Sequence, residues 1–128
     1  MTGRAAQKAE SIKLVALDVD GVMTDGTLFY RAVSEPETKP FNIKDGLGIK
    51  LLQRCDIDVA IITGRSSQAL ERRAGELGIA TVIQGREDKG SALEELMKAK
   101  AKLPPRWPAR ARRLFLCIPA KPPMATWA

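Results

Sequence analysis

Two aspartates separated by one residue follow an apolar run in the segment KLVALDVDGVMTDG, residues 13–26. In an extended chain alternate side chains point the same way, so Asp18 and Asp20 can share one side while Gly21 lets the chain turn sharply. Neighbouring carboxylates repel each other unless a cation joins them, and Mg²⁺ with a phosphate would offset that repulsion. The pair therefore indicates metal-assisted phosphate chemistry, while a turn or helix-capping role is as common for a bare Asp-x-Asp.

Two other motifs that bind metals or phosphates are excluded by single positions. A calcium loop of the D-x-D-x-D-G type would need acids where this sequence has Val22 and Phe29. The segment GREDKGS carries Gly85 and Gly90 at the spacing of a nucleotide-binding loop, but Ser91 stands where that motif requires lysine. Neither a calcium loop nor a nucleoside triphosphate site is expected.

The composition narrows the chemistry further. The 128 residues include no histidine, which excludes Ser-His triads, Cys-His pairs and imidazole metal ligands. The two cysteines, Cys55 and Cys117, lack zinc-site spacing and fit reduced thiols. No apolar run approaches the roughly 18 residues that span a bilayer, and the polar start lacks the apolar stretch of a signal peptide. We expect a cytoplasmic protein with no membrane partner.

The net charge of +6 is concentrated at one end of the sequence. Residues 1–100 contain 15 basic and 15 acidic side chains, whereas residues 101–128 contain 6 basic side chains and no acid. The same end carries 6 of the 8 prolines and lacks both helical and strand periodicity. Because residues 1–100 offer no basic face to join it, we expect no nucleic-acid partner. We predict a domain over 1–100 and a poorly ordered basic tail over 101–128.

Alternating strand and helix patterns predict the elements that position these residues. Short apolar runs typical of buried parallel strands occupy residues 12–19, 57–62 and 79–83. Leucine and isoleucine at helical spacing predict helices over 46–54, 66–77 and 89–101. Residues 26–43 look like two extended arms around a Ser-Glu-Pro-Glu turn, which predicts an inserted hairpin. The fold class is therefore α/β with a mostly parallel sheet, whose ligands bind at the carboxyl ends of the strands.

Polar residues come after each of the three strands at that edge. Thr63, Gly64 and Arg65 come after the second strand and offer a hydroxyl, a close-approach glycine and the start of a helix that can hold an anion. Lys89 comes after the third strand and offers a compact cation for a phosphate. Each feature alone is weak, but their order along the chain favours a phosphate site.

The segments LDVDGVMTDG, FNIKDGLGIK, IDVAIITGR and IQGREDK resemble the 3-deoxy-D-manno-octulosonate 8-phosphate phosphatase family of the haloacid dehalogenase superfamily. The match covers about residues 12–100, and FNIKDG and DVDGVMTDG are far more specific than the bare Asp-x-Asp of the superfamily. The resemblance implies a Rossmann-like sheet flanked by helices and a homotetramer without a cap domain. It also implies Mg²⁺-dependent hydrolysis of a phosphorylated sugar acid for lipopolysaccharide synthesis.

The resemblance also implies a role for individual residues. Asp18 would attack phosphorus to form an aspartyl-phosphate, and Asp20 would protonate the departing sugar oxygen and then activate water. Thr63 and Lys89 would hold the phosphoryl oxygens, with Mg²⁺ shared by Asp18 and the Asp20 carbonyl. Substrate contacts would fall on Asp20, Asn42, Ile43, Lys44, Asp45, Gly46, Lys50, Gly64, Arg65, Arg73 and Lys89. On spacing alone, Arg73 is as readily an ordinary solvated helix arginine.

One departure from the family concerns the end of the sequence. Family members continue to a fourth strand with a Gly-Asp-Asp type motif whose acid completes the metal site, and this sequence has no acid after Glu95. We expect the fourth strand and the part of the sheet beyond it to be missing, and residues 101–128 to be an out-of-frame or otherwise aberrant end. Two other functions stay open: a phosphatase for a related 3-deoxy sugar acid phosphate, and a non-catalytic protein that only oligomerises.

Overall fold

The computed structural model describes residues 3–10, 12–101 and 113–117 and has an α/β fold built on a parallel sheet. The elements in chain order are α1 (Gly3–Glu10), β1 (Ile12–Leu17), α2 (Ile43–Arg54), β2 (Asp58–Ile62), α3 (Gln68–Leu77), β3 (Thr81–Ile83), α4 (Lys89–Ala101) and β4 (Arg113–Cys117). The strand order is β3-β2-β1-β4, and every pair is parallel. The predicted fold class is confirmed.

The sheet is buried on both faces because side chains alternate along its central strand. Val59 and Ile61 of β2 point into a core cluster with residues of α2 and α3. Ala60 and Ile62 point the opposite way, into a smaller cluster with Ala92 and Leu96 of α4. The strand DVAII is apolar at nearly every position, so its side chains need apolar partners on both faces of the sheet. Helices on the two faces provide these partners. This sandwich fixes the positions of the strand ends, where the polar residues begin.

The predicted strands and helices are present, with small shifts in their bounds. Helix α2 begins at Ile43, three residues before the predicted start, because the Asn42 side chain accepts a hydrogen bond from the Lys44 amide and caps the helix. Helix α3 begins at Gln68 after the cap residue Ser67, and α4 matches its predicted range. The short helix α1 was not predicted, since the polar opening segment shows no clear apolar stripe in the sequence.

The segment between β1 and α2 turns back on itself, but its two arms share a single antiparallel bridge, between Phe29 and Thr38. The turn lies where the Glu35 amide donates a hydrogen bond to the Ala32 carbonyl, at 2.8 Å. Prolines within the returning arm, at positions 36 and 40, lack the amide hydrogens that a longer strand ladder would need. The predicted hairpin is therefore a loop with one bridge, and we call residues 26–41 the hairpin segment.

The expectation that a fourth strand is missing needs correction. Residues Arg113–Cys117 form β4, which pairs in parallel with β1 through partners such as Leu14 and Leu114. The apolar sequence LFLC suits a strand, and it hydrogen-bonds along an edge of β1 that would otherwise be unpaired. The rest of the predicted tail, residues 102–112 and 118–128, lies outside the described residues.

None of the described helices is long and apolar enough to cross a membrane.

Replacing Ile61 by alanine tests whether this sandwich core sets the stability. Ile61 is 0% exposed in the centre of the sheet, and deleting its buried carbons leaves a cavity that costs about 2–5 kcal/mol of unfolding free energy. Urea denaturation followed by circular dichroism measures the change. The control Met97→Ala removes a side chain that is 38% exposed on α4 and should cost less than about 1 kcal/mol. Equal effects of the two substitutions would contradict the described core.

Candidate active site

Asp18 directly follows the buried strand β1 and is the first polar residue of the candidate site. Its side chain is only 12% exposed, and its Oδ2 lies 2.8 Å from the Nζ of Lys89. The other carboxylate oxygen, Oδ1, accepts a hydrogen bond from the Val19 amide at 2.8 Å. Lysine therefore neutralises a carboxylate that burial would otherwise make costly. The contact brings together the ends of β1 and β3, as the order of motifs in the sequence predicts.

Asp20 belongs to a closed ring of four charged side chains. The Nζ of Lys39 lies 2.6 Å from Asp20 Oδ1 and 3.2 Å from Glu37 Oε1. The second oxygen of Glu37 forms a short contact with the guanidinium of Arg65, whose Nε is 3.7 Å from Asp20 Oδ2. Positive and negative groups alternate around the ring, so each charge has two opposite neighbours. The hairpin segment thereby supplies two of the four groups of the ring.

The charge environment of Arg65 favours its cationic form. Partial burial lowers the pKa of its guanidinium, but the charge of Glu37, hydrogen bonds with Tyr30 and Glu37, and the charge of Asp20 together outweigh that effect, and the net change is upward. Arg65 is therefore a permanent cation at the carboxyl edge of the sheet. Its side chain is 42% exposed, which leaves it open to a ligand.

The turn after Asp20 depends on Gly21. Its backbone adopts a positive φ of 80°, a conformation that favours glycine, and the chain then makes a tight turn in which the Met23 amide donates to the Val19 carbonyl at 2.8 Å. Asp25 lies farther along and is exposed; a hydrogen bond from the Thr27 amide lowers its pKa. The third aspartate of DVDGVMTDG is thus a turn residue, separate from the Asp18 and Asp20 pair.

The loop after β2 is held close to the loop after β3. Thr63 is 2% exposed, its amide donates to the Ile83 carbonyl at 2.9 Å, and its own carbonyl accepts from the Arg86 amide at 3.1 Å. A Cβ added at Gly64 would lie 2.8 Å from Glu87 Oε1, the end of an exposed side chain of the β3–α4 loop, so the two loops approach closely at this point. Since β1 and β2 pair Leu17 with Ile61, Thr63 lies at the same edge as Asp18.

An ion-pair network lies next to Lys89 at the start of α4. The Arg86 guanidinium contacts the carboxylate of Asp88 at 2.8 Å and that of Glu95 at 3.1 Å. Hydrogen bonds to these acids raise the pKa of Arg86, and Arg86 in turn lowers the pKa of Asp88. The network ties the β3–α4 loop to the first turns of the helix. Lys89 is the first residue of α4, and its Nζ contacts Asp18 Oδ2.

The predicted contacts on α2 divide between the two ends of that helix. Asn42 caps its first turn, while Ile43, Lys44 and Asp45 are exposed there and Gly46 is buried. The helix connects the carboxyl end of β1 with the amino end of β2, so these residues start at the same edge as Asp18.

Lys50 lies toward the opposite edge. A Cβ on Gly78, just before β3, would be 3.5 Å from its Nζ. This chain does not bring Lys50 to Asp18.

Arg73 of α3 is partly buried against α2. Its guanidinium packs so closely on Gly46 that a Cβ there would clash with it. The side chain is 18% exposed, with a 3.5 Å contact between Nη1 and Glu76. Its Nε is buried without a hydrogen-bond partner in the structure. A buried donor that lacks an acceptor favours a ligand role over the alternative of a solvated helix arginine.

The oxygen donors at this edge fit a hard cation such as Mg²⁺, although they are few. Across the described part of the chain no three acidic, histidine or cysteine side chains group together. The carboxylates of Asp18 and Asp20 are instead paired with the ammonium groups of Lys89 and Lys39. Such oxygen-only donors suit Mg²⁺, which keeps several waters when the protein supplies one or two carboxylates.

Sequence reasoning missed Glu37 and Lys39 as site residues. Both were assigned to the arm of a hairpin, where charged residues are ordinarily solvated. The Lys39 side chain is instead 5% exposed and the Glu37 side chain 15% exposed. The sequence gives one indication, because the charged pair lies just before the distinctive FNIKDG segment.

Known proteins similar to this chain are consistently of one kind. The chain is 50% identical over 92 residues to the 3-deoxy-D-manno-octulosonate 8-phosphate phosphatase of Haemophilus influenzae, covering 72% of this chain and 51% of that protein. It is 52% identical over 91 residues to the enzyme of the same name from Yersinia pestis, covering 71% and 48%. The chain spans about half the length of the curated relatives it matches. No family model matches it.

Two solved structures that are similar to this chain also carry this enzyme name, one of them as a putative member. The phosphatase of that name from Moraxella catarrhalis, solved with a magnesium ion, a phosphate ion and a KDO molecule, has a TM-score of 0.74 and 48% identity. The alignment covers 79% of this chain and 57% of that one. A putative phosphatase of the same name from Vibrio cholerae has a TM-score of 0.76 and 36% identity, covering 89% and 59%.

Replacing Lys89 by methionine tests the ion pair at the strand end. The substitution keeps the length of the side chain but leaves the nearly buried Asp18 carboxylate without its cation. We expect a loss of about 1–3 kcal/mol in unfolding free energy, discounted for the partial exposure of Lys89. Urea denaturation measures it, and Lys98→Met, at an exposed position of the same helix, is the matched control. If Asp18→Asn fails to recover stability in the Lys89→Met background, the pair is not the cause.

Proposed function

We propose that this chain, which belongs to the 3-deoxy-D-manno-octulosonate 8-phosphate phosphatase family of the haloacid dehalogenase superfamily, hydrolyses a phosphate monoester of a sugar acid. One observation carries the proposal: the nearly buried carboxylate of Asp18 ends β1 and lies 2.8 Å from the Lys89 ammonium. A carboxylate beside a cation is arranged to attack an anionic phosphoryl group, because the cation offsets the repulsion between them. The substrate we propose is 3-deoxy-D-manno-octulosonate 8-phosphate.

The reaction proceeds in two steps. An Asp18 oxygen forms a bond to phosphorus while the ester bond from phosphorus to the sugar oxygen breaks, and Asp20 gives that oxygen a proton. In the second step Asp20 takes a proton from water as the water oxygen bonds to phosphorus, which releases Asp18 and inorganic phosphate. The same carboxyl group thus serves as acid and then as base, and protons balance over the cycle.

The remaining polar groups of the edge bind the phosphoryl oxygens. Lys89 donates to them when the phosphate arrives, and the hydroxyl of the buried Thr63 does the same from the end of β2. The Asp18 carboxylate and the Asp20 carbonyl would hold Mg²⁺. When bound, that ion supplies positive charge against the phosphate. Before substrate arrives the carboxylates of Asp18, Asp20 and Glu37 face three cations, and Asp20 takes up from solvent the proton that it gives to the sugar oxygen in the first step.

Recognition of the sugar acid falls to cations away from the phosphate. A phosphorylated sugar acid is anionic at both ends, and its carboxylate suits the fork of an arginine. Arg65 is partly exposed beside Asp20, and Arg73 has a buried Nε that lacks an acceptor. Both support a substrate with a second anionic group. A panel that includes a nine-carbon 3-deoxy sugar acid phosphate separates the proposed substrate from its relatives.

We also propose that copies of this chain associate through the hairpin segment and the adjoining face of α2. In the hairpin segment, Tyr30 is 74% exposed and Val33 is 109% exposed relative to an isolated residue. Helix α2 exposes Ile43, Leu47 and Leu51 at four-residue intervals, which forms one apolar stripe. Exposed apolar side chains grouped in this way are typical of an interface. A second copy is the partner that fits, because the described segment between β1 and α2 contains one isolated bridge and no helix or strand of a cap domain.

Substitution of the two aspartates tests the reaction. Asp18→Asn keeps the size of the side chain but removes the attacking charge, so turnover of the sugar phosphate should fall by about a thousandfold or more. Asp20→Asn should cost about 10²- to 10⁴-fold through the lost proton transfer. Phosphate release measures both. The control Asp58→Asn alters an aspartate at the opposite edge of the sheet and should stay near wild type. Near-normal turnover by Asp18→Asn would refute the assignment.

A magnesium titration tests the donor set. Mg²⁺ requires near-octahedral oxygen coordination, and the proposed protein ligands are only the Asp18 carboxylate, which is already paired with Lys89, and the Asp20 carbonyl. We therefore expect weak binding and slow turnover, with half-saturation at a higher Mg²⁺ concentration than for the Haemophilus influenzae relative assayed in parallel. Equal magnesium dependence and equal rates in the two proteins would contradict this expectation.

Light scattering at micromolar concentration tests the proposed assembly. The folded chain should be oligomeric, and the double substitution Tyr30→Ser and Val33→Ser should shift it toward smaller species, because less apolar surface is removed from water on association. Met97→Ser, on the exposed surface of α4, serves as the control. A monodisperse folded monomer of the unsubstituted chain would rule out the assembly.

A further inference from the structure

We propose that Lys39 is a positioning residue that holds the Asp20 carboxylate in the orientation its proton transfers require. The proposal rests on the proposed function, in which Asp20 is the acid and the base. Lys39 lies in the returning arm of the hairpin segment, 19 residues from Asp20 in sequence, and their contact is among the shortest side-chain hydrogen bonds described. The role is distinct from those of Lys89 and Thr63, which face the phosphate.

Burial and geometry distinguish Lys39 from a surface lysine. Its side chain is 5% exposed, and its ammonium lies 2.6 Å from Asp20 Oδ1 and 3.2 Å from Glu37 Oε1. A buried ammonium needs acceptors for its hydrogens, and two carboxylates supply them here. Glu37 is itself anchored by Arg65. The contact with Glu37 therefore holds the Lys39 cation independently of Asp20, so Lys39 constrains Asp20 instead of following it.

The two carboxylate oxygens of Asp20 therefore have different roles. Oδ1 accepts the hydrogen bond from Lys39, whereas the contact recorded for Oδ2 is with Arg65 Nε at 3.7 Å, beyond hydrogen-bond length. Oδ2 is then the atom that exchanges protons. It gives one to the sugar oxygen as the ester bond breaks, and takes one from water as the new bond to phosphorus forms. Fixing Oδ1 keeps Oδ2 directed at the reacting atoms.

The two half-reactions separate this role from a purely structural one. A sugar oxygen leaves only if it is protonated, but 4-nitrophenolate leaves without a proton. With Lys39→Met we expect phosphoenzyme formation from the sugar phosphate to slow by about 30- to 100-fold. The nitrophenolate burst from 4-nitrophenyl phosphate should change by less than about fivefold. Hydrolysis of the phosphoenzyme, which needs the base in both cases, should slow equally for the two substrates.

A double-mutant cycle tests whether Lys39 acts through Asp20. In the Asp20→Asn background, Lys39→Met should cause no further loss beyond about twofold, because the group that Lys39 positions no longer transfers protons. Glu37→Gln should give a weaker version of the Lys39→Met pattern, since it loosens the lysine without removing it. Lys98→Met, an exposed lysine of α4, is the charge-matched control and should resemble the unsubstituted chain. Additive losses in the cycle, or equal slowing of the burst and the sugar-phosphate step, would overturn the proposal.

A measurement that needs no turnover separates failure of this proposal from failure of the proposed function. In ¹⁵N,¹³C-labelled protein, a positioned pair gives a slowly exchanging Lys39 ammonium resonance with a correlation across the hydrogen bond to the Asp20 carboxyl carbon. We expect that correlation in the unsubstituted chain and its weakening in Glu37→Gln. Its absence would overturn the role of Lys39 whatever the activity. Absence of hydrolysis with the correlation present would instead count against the phosphatase function alone.

Discussion

The structure depends on one electrostatic constraint, which is that carboxylates at the carboxyl edge of a buried parallel sheet must have cations beside them. The nearly buried carboxylate of Asp18 is paired with Lys89, and Asp20 is bounded by Lys39 and Arg65. Each cation comes from a different part of the chain, so satisfying the carboxylates draws three loops and a helix start to one place. The same balance leaves the edge able to accept an anionic ligand together with a divalent cation.

Backbone contacts between the loops make this arrangement rigid. The Arg86 amide bonds to the Thr63 carbonyl, and the Arg86 side chain is paired with two acids of the α4 region. Gly64 lies at the point where the two loops meet, close to the Glu87 carboxylate. Lys89 is held against Asp18 by their ion pair, so its long side chain loses less entropy when a phosphate arrives.

The hairpin segment joins the chemistry of the edge to the outer surface of the protein. Its returning arm carries Glu37 and Lys39 inward to the charged ring, while its tip and the adjoining face of α2 expose apolar side chains. One insertion thus contributes to positioning Asp20 and to the proposed contact with another copy. Association at the tip would restrain the arm that holds Lys39, so assembly and the order of the site are physically linked.

The sequence by itself determined the α/β class, the three strands through DVAII-like apolar runs, and the order of Asp18, Thr63 and Lys89 at one edge, because these follow from periodicity and from the rule that parallel strands end together. It did not reveal β4, which depends on pairing with a distant edge. It also missed the burial of Lys39 and Glu37. A charged residue in a hairpin looks solvated in any local window, and only the folded chain shows that Asp20 and Arg65 enclose it, since ion pairing acts through space between segments far apart in sequence.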